Sequence, residues 1–331
     1  MNENIRINDV LIEEYDVFVG FVSFEKRSFS LSNKIDVNKL SRVYVIRNLK
    51  TEDNKYVMKN AVEFEKKFGS KMEYIEVDFD KPLLSADNLK SKFDFLQSKE
   101  KKVKVLLDIS TFTHEILLMF LCILKSWANN VELTCVYTNT LDYSTQESVE
   151  NKWLSRGLRD VRTVLGFPGD NLPSRKTHLM VVVGYEYERA YNIINVIEPN
   201  SLSLGYVEAE ETSTEKNKDA NSHYLRLVEE MAISYDDIER FTISCRNVEK
   251  TVKEMNKIIE LHKGENIVIV PLNNKVSTIA IAVIVFNNPE MQICYGQPVV
   301  YNEESYSVPG NEFFCYKFED SDWGNSDKIY E

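Results

Sequence analysis

One strand-turn-helix plan occurs twice in this sequence, and a chain that repeats itself on that scale has few folds open to it. Val17-Phe18-Val19-Gly20 runs through Phe21-Val22-Ser23 into Phe24-Glu25-Lys26-Arg27-Ser28. Val181-Val182-Val183-Gly184 runs into Tyr185-Glu186-Tyr187-Glu188-Arg189-Ala190. Both are β-branched apolar runs ending in glycine, followed by an aromatic-Glu-Arg cluster where a helix would open. A repeat of this kind predicts two similar lobes.

The spacing of the remaining elements carries the repeat further. Short apolar runs predict strands at 16–22, 42–47, 72–78, 103–109 and 131–138 in the first half. The second half matches them at 178–184, 201–207, 238–243, 265–271 and 290–295. Helical periodicity predicts helices at 52–69, 84–99 and 112–128, then at 187–197, 219–235, 246–262 and 275–287. Continuous rather than alternating strands, separated by helices, read as parallel sheets covered on both faces. Each fourth strand leads into an unusually apolar helix, Glu115–Leu121 in one half and Ile279–Val285 in the other. A helix apolar all round is a buried one. Matching tails follow the fifth strands: Tyr137 then Tyr143-Ser144 and Pro168-Gly169, and Tyr295 then Tyr301-Asn302 and Pro309-Gly310. The fold class expected is therefore α/β, with two tandem Rossmann-like lobes of mainly parallel sheet related by a pseudo-twofold. Glycine and proline concentrate at Gly166–Ser174, which places the lobes at 1–168 and 169–331. Glu208–Asn221 reads as a polar loop and Glu319–Asn325 as a solvated acidic tail.

A length of 331 residues suits two cores, and 43% apolar with 28% charged residues is a globular composition. The net charge of -12 argues against duplex nucleic acid as a partner, because backbone binding needs clustered cations. The five cysteines show no paired spacing and read as reduced, mostly buried thiols. The apolar run Ile116–Leu124 is too short to span a membrane, and Met1-Asn2-Glu3-Asn4 lacks a secretory pattern. A cytoplasmic location is the expectation.

In open parallel sheets ligands bind beyond the carboxyl ends of the strands, where strand order reverses. The loops after strands one and four are therefore where chemistry is expected. After strand four of the first half, Ser110, Thr111 and Thr113 place hydroxyls beside the free N–H groups of a helix start, with His114 next to them. That set accepts a phosphate or carboxylate, or simply caps the helix. In the second half the corresponding candidates are Asn273, Asn274, Lys275, Ser277 and Thr278. Lys275 is unfavourable to the helix dipole unless an anion sits nearby. The strand-one loops add Glu25 and Arg27, then Glu186, Glu188 and Arg189. These could recognise phosphate and a base or ribose edge, or pair with each other. His114, His178, His223 and His262 are isolated in sequence, so neither a metal nor a cofactor is expected. The usual dinucleotide, phosphate-loop, zinc-protease and hydrolase motifs are absent.

This layout, with a glycine turn after strand one and a polar turn after strand four, resembles the CARF and SAVED sensor domains of bacterial antiphage defence. In place of the Thr-Gly-Gly-Thr-Lys turn common in CARF domains, the chain carries Ser110-Thr111-Phe112-Thr113-His114. The resemblance implies a cyclic oligonucleotide messenger bound between two Rossmann-like lobes, at Ser110, Thr111, Thr113, Asn274 and Lys275. It also implies a partner protein supplying the effector. A small-nucleotide phosphodiesterase or glycohydrolase, and a structural component of a multiprotein defence complex, stand as alternatives.

Overall fold

A computed structural model of the chain describes residues 5–51, 53–99, 101–144, 152–212, 218–235 and 237–324. The first stretch of chain forms α1 (Ile7–Ile12), β1 (Tyr15–Phe21), β2 (Leu40–Asn48), α2 (Lys55–Phe68), β3 (Met72–Val77), α3 (Pro82–Phe93), β4 (Val103–Asp108), α4 (His114–Lys125) and β5 (Val131–Tyr143). Two strands follow, β6 (Ser155–Arg156) and β7 (Asp160–Pro168). Next come β8 (Thr177–Val182), α5 (Tyr187–Ile197), β9 (Ser201–Val207), α6 (Lys218–Met231), β10 (Ile238–Ile243), α7 (Val248–Leu261), β11 (Asn266–Pro271), α8 (Lys275–Asn287) and β12 (Gln292–Gln297). The last strands are β13 (Val300–Tyr301) and β14 (Ser307–Lys317).

The strands make two six-stranded sheets, ordered β14-β5-β4-β1-β2-β3 and β7-β12-β11-β8-β9-β10 when both are read from the same edge. Position for position the orders agree, so the repeat read from spacing is a repeat of topology. Strands β1 to β5 pair in parallel, as do β8 to β12. The chain is thus α/β with two Rossmann-like sheets, and each expected strand lies within a few residues of an observed one.

The edge strands overturn the expected boundary. The compact units are Met1–Thr140 with Ser307–Glu331, and Leu141–Tyr306, not 1–168 and 169–331. β7, which follows the first five strands, adds antiparallel to β12 of the second unit. β14, which follows the second five, returns to β5 of the first. It runs antiparallel, since Lys317 meets Glu132 near the start of β5 while Gly310 lies against Asn139 near its end. Each repeat thus sends its sixth strand to the other's sheet. The Gly166-Phe167-Pro168 cluster that reads as a linker is the end of β7. Pro309 sits in β14, an edge strand, where a missing N–H costs little.

Local chemistry accounts for the helix starts. Asn54 caps α2 by accepting from Tyr56 and Val57 N–H, Thr113 caps α4 through Ile116 N–H, and Asn274 caps α8 through Ser277 N–H. Pro82 opens α3, where its missing N–H is no loss. α4 and α8 are buried over nearly their whole length, as their uniform apolarity requires. The expected acidic tail is instead tied down over its described part. Asp320–Trp323 form a single 3-10 turn, and Trp323 is buried against Phe318 with ring centroids 4.6 Å apart. Residues 213–217 of the expected polar loop lie outside the described residues, while Ala209–Glu211 are a 3-10 turn and α6 begins at Lys218. All five cysteines are free thiols, three of them buried. No helix among the described residues is long and apolar enough to cross a membrane.

Candidate functional site

Strand order reverses between β4 and β1 in the first sheet and between β11 and β8 in the second. The loops at these switch points hold the Glu and Arg residues singled out from sequence. Backbone pairing shows which of them correspond. Val22 N–H bonds Ile46 C=O just beyond β1, and Val183 N–H bonds Gly205 C=O just beyond β8. This register matches Phe24-Glu25 to Tyr185-Glu186. It does not match Gly20 to Gly184, the pair that the sequence motif aligns. Gly20 lies within β1, whereas Gly184 lies beyond β8, where an added Cβ would stand 2.1 Å from Leu272 C=O.

In the first unit the cluster is closed upon itself. Arg27 donates to Glu25 Oε2 at 2.8 and 3.0 Å, to Tyr137 Oη at 2.9 Å and to Thr138 C=O at 3.2 Å. Ser307 at the head of β14 donates to the same Glu25 oxygen at 2.5 Å. The ion pair is buried on both sides. Beside it, Asp108 at the end of β4 accepts from Ser110 N–H and Oγ, and burial pushes its carboxyl up to about 7 against the opposing pull of Ser110 and Arg27. Asp108 Oδ2 is buried with no hydrogen bond, as are the hydroxyls of Thr138 and Thr140.

The hydroxyls expected to bind an anion here are engaged elsewhere. Ser110 Oγ also accepts from Thr138 N–H, Thr111 donates to Phe21 C=O, and Thr113 is the cap of α4. His114 is buried. Ser110, Thr111 and Thr113 thus stitch the turn to β1 and β5, and the capping alternative describes them.

The second unit repeats the ion pair in a different setting. Glu186 pairs with Arg189, both nearly buried, and accepts from Ser155 Oγ of β6. Tyr295, Tyr301 and Tyr306 lie close enough to act on the Arg189 charge. The partner stands three residues on rather than two, with α5 an α-helix and Lys26–Phe29 a 3-10 turn. After β11, Asn273 donates to Val183 C=O and accepts from Asn274 N–H, and Asn274 caps α8 while donating to Cys245 C=O. Ser277 and Thr278 donate back to Asn274 C=O, and Lys275 is half-buried with a partner of its own. This turn, too, holds backbone together.

Beside Glu186 lies an opening. A cleft of about 60 Å³ is lined by Lys152, Trp153, Ser155, Arg156, Tyr185, Glu186, Tyr187 and Glu188. Arg156 is exposed, with its guanidinium carbon 4.5 Å from the Trp153 ring centre. Tyr187 stacks on the wholly buried Tyr224, which packs in turn on Tyr185. Lys152 is committed to Asp142 and to Tyr143 C=O. Glu186 and Glu188 were singled out from sequence; Trp153, Arg156 and Tyr187 were not. The run Lys152-Trp153-Leu154-Ser155-Arg156 sets one aromatic between two cations, which is the signal that could have found Trp153 and Arg156.

A larger depression of about 320 Å³ lies at the opposite, amino ends of the first sheet, beside Glu14, Tyr15, Asp16, Asn38, Lys39, Ser41 and Lys104. Its cations are spoken for: Lys39 Nζ donates to Leu11 and Ile12 C=O, and Lys104 Nζ to Glu13. The amino end of the second sheet brings together His178 and His262, which look isolated in sequence. Their rings stack with centroids 3.4 Å apart, and burial together with His262 pushes His178 down to about 4.

No protein-family model matches the chain, and no curated protein matches it. Among solved structures it is similar to the cytoplasmic domain of a prokaryotic cation chloride cotransporter, at 9% identity over 88% of this chain and 98% of that one, with a TM-score of 0.26. A universal stress protein from Archaeoglobus fulgidus matches at 11% identity, with coverages of 88% and 98% and a TM-score of 0.23. AtPrR2 with NADP+ and (+)pinoresinol matches at 11% identity, with coverages of 76% and 86% and a TM-score of 0.27. Overlaps this loose carry no functional argument.

Proposed function

We propose that the chain is a ligand-responsive regulatory protein that takes a nucleotide-type anion at the cleft of its second unit and acts through a partner protein. The observation that carries this reading is the composition of the cleft at the switch point. Trp153 and Tyr187 offer ring faces, exposed Arg156 offers a planar cation for phosphate, and Glu186 and Glu188 offer acceptors for a base edge or ribose hydroxyl. A volume of about 60 Å³ suits one moiety of such a ligand, with the remainder lying outside the cleft. The first unit, whose fourth-strand hydroxyls bond the backbone of β1 and β5, takes the structural part. The resemblance of the layout to CARF and SAVED sensors points the role toward antiphage defence in the cytoplasm, with a cyclic oligonucleotide as the ligand and a separate effector as the partner.

Calorimetric titration of the purified chain with cyclic oligonucleotides and with mononucleotides tests this. Saturable binding is expected from one class, weakened about tenfold or more by Trp153→Ala, as loss of one base–aromatic contact predicts. Neither heat nor a melting shift from either class would overturn the reading.

A further inference from the structure

We propose that the amino-terminal end of the second sheet holds a divalent transition-metal site of the zinc class, ligated by His178, His262 and Glu265. It lies at the opposite end of the strands from the cleft. His178 opens β8 and is wholly buried, His262 follows α7, and Glu265 immediately precedes β11. One donor atom from each of the three lies within 4.8 Å of the other two.

The hydrogen bonding around the rings turns His262 Nδ1 to Glu265 and His178 Nδ1 to Ser201, which itself reaches Glu265. His262 Nε2 lies 2.9 Å from Glu239 Oε2, and His178 Nε2 lies 3.0 Å from Ser203 Oγ, which itself donates to Glu239 Oε2 at 3.1 Å. On the other edge, His262 Nδ1 lies 3.4 Å from Glu265 Oε1. His178 Nδ1 lies 2.8 Å from Ser201 Oγ, which is 3.3 Å from Glu265 Oε2. This is the arrangement in which a carboxylate holds the outer N–H of metal-ligating imidazoles and fixes which nitrogen faces the ion.

Proton supply supports the same assignment. A neutral imidazole carries one N–H and a serine one O–H, so this loop of contacts has fewer protons than contacts. With Nε2–H given to Glu239, His262 Nδ1 turns a lone pair toward a carboxylate oxygen, and it is buried without a hydrogen bond. A lone pair facing a carboxylate calls for a cation. Two imidazole nitrogens and one carboxylate oxygen, with the Ser201 hydroxyl alongside, form a donor set for zinc or a neighbouring transition ion rather than magnesium. Loading tilts both rings out of their stack, so that the Nδ1 lone pairs converge on the Glu265 side.

The test is calorimetric titration of the chelator-stripped full chain with Zn²⁺, with Mg²⁺ as the control. One equivalent of Zn²⁺ is expected to bind with an upward melting shift, and Mg²⁺ is expected not to bind. His262→Gln and Glu265→Gln, both at partly exposed side chains that leave the core intact, are each expected to weaken Zn²⁺ binding about tenfold or more. Replacing Zn²⁺ by Co²⁺ should give the visible absorption of a nitrogen- and oxygen-ligated ion. Failure to bind Zn²⁺ overturns the proposal, as does binding that survives both substitutions. Stabilisation by mild acid but not by Zn²⁺ also overturns it, by showing that a proton fills the place of the ion.

Discussion

Glu25 and Glu186 stand the same distance past the first strand of their sheets, each paired with a buried arginine, yet they meet different surroundings. Glu25 takes the hydroxyl of Ser307 at the head of β14, and its arginine spends further donors on Tyr137 and Thr138. Around Glu186 the contact from outside the α5 loop is Ser155 of the short strand β6, and the neighbouring Trp153 and Arg156 leave an opening. The two carboxylates are equally buried, each 8% exposed, so one scaffold position is an internal strut in the first unit and a buried wall beside a cleft in the second. The difference lies in the segment laid across the strand ends, β14 in one case and β6 in the other. A buried ion pair at a switch point is therefore not itself a binding signature; access is.

The contrast is sharpened most by removing the arginines. Arg27→Ala leaves Glu25 buried without its charge partner and is expected to cost about 3–5 kcal/mol, read from urea denaturation. Arg189→Ala should cost less, because Arg27 also donates to Tyr137 and Thr138 C=O, whereas Arg189 Nε is buried without a hydrogen bond. An equal or greater loss at Arg189 would break the comparison.

Next in size is a pH effect from Asp108 in the first unit. The Asp108 carboxyl is raised to about 7, whereas an unfolded aspartate titrates near 3.9. Between those values the folded chain holds a proton that the unfolded chain has released, so this carboxyl's contribution to stability falls by about 4 kcal/mol as pH climbs from about 4 to about 7, against the opposite trend from His178. Asp108→Asn should flatten that slope in denaturation series at pH 5 and pH 8. The equivalent last residue of β11 is Pro271, and the second unit lacks this term.

A smaller effect separates the glycines. Gly184→Ala drives a Cβ into Leu272 C=O and should cost about 1–3 kcal/mol, the usual range for overpacking. Gly20→Ala meets the Phe18 ring at 3.3 Å, and thermal melts should show a change under about 1 kcal/mol. The smallest stability effect is expected at half-buried Trp153, where Trp153→Ala should shift the melt by less than about 1 kcal/mol while weakening ligand binding.

The strands of both sheets were legible because each is a short β-branched run, and a strand buried on both faces must be apolar throughout. A cap in the Ser110–Thr113 turn was legible because hydroxyl residues stand just before an apolar helical run. The sixth strands were not. β7 ends in Gly166-Phe167-Pro168 and β14 contains Pro309-Gly310, and such residues mark a turn as readily as an edge strand. Which sheet an edge strand joins is not encoded within it, so the units were divided at 168/169 when the chain changes unit at 140/141 and 306/307. Ser110 and Thr111 were correctly placed at the switch point, but their hydroxyls turn inward to Asp108 and Phe21 C=O. A hydroxyl's direction depends on neighbours that arrive from β1 and β5.

Local pattern alone, then, set the alternation of strand and helix, the repetition of one α/β plan and the position of a carboxylate after each leading strand, since these follow from polarity, backbone propensity and spacing along the chain. Which segment lies over each of the two carboxylates, and the meeting of His178 with His262 and Glu265, were fixed by long-range pairing. Those outcomes depend on which distant segment covers a strand end, and burial by a distant segment leaves no trace in the residues that it covers.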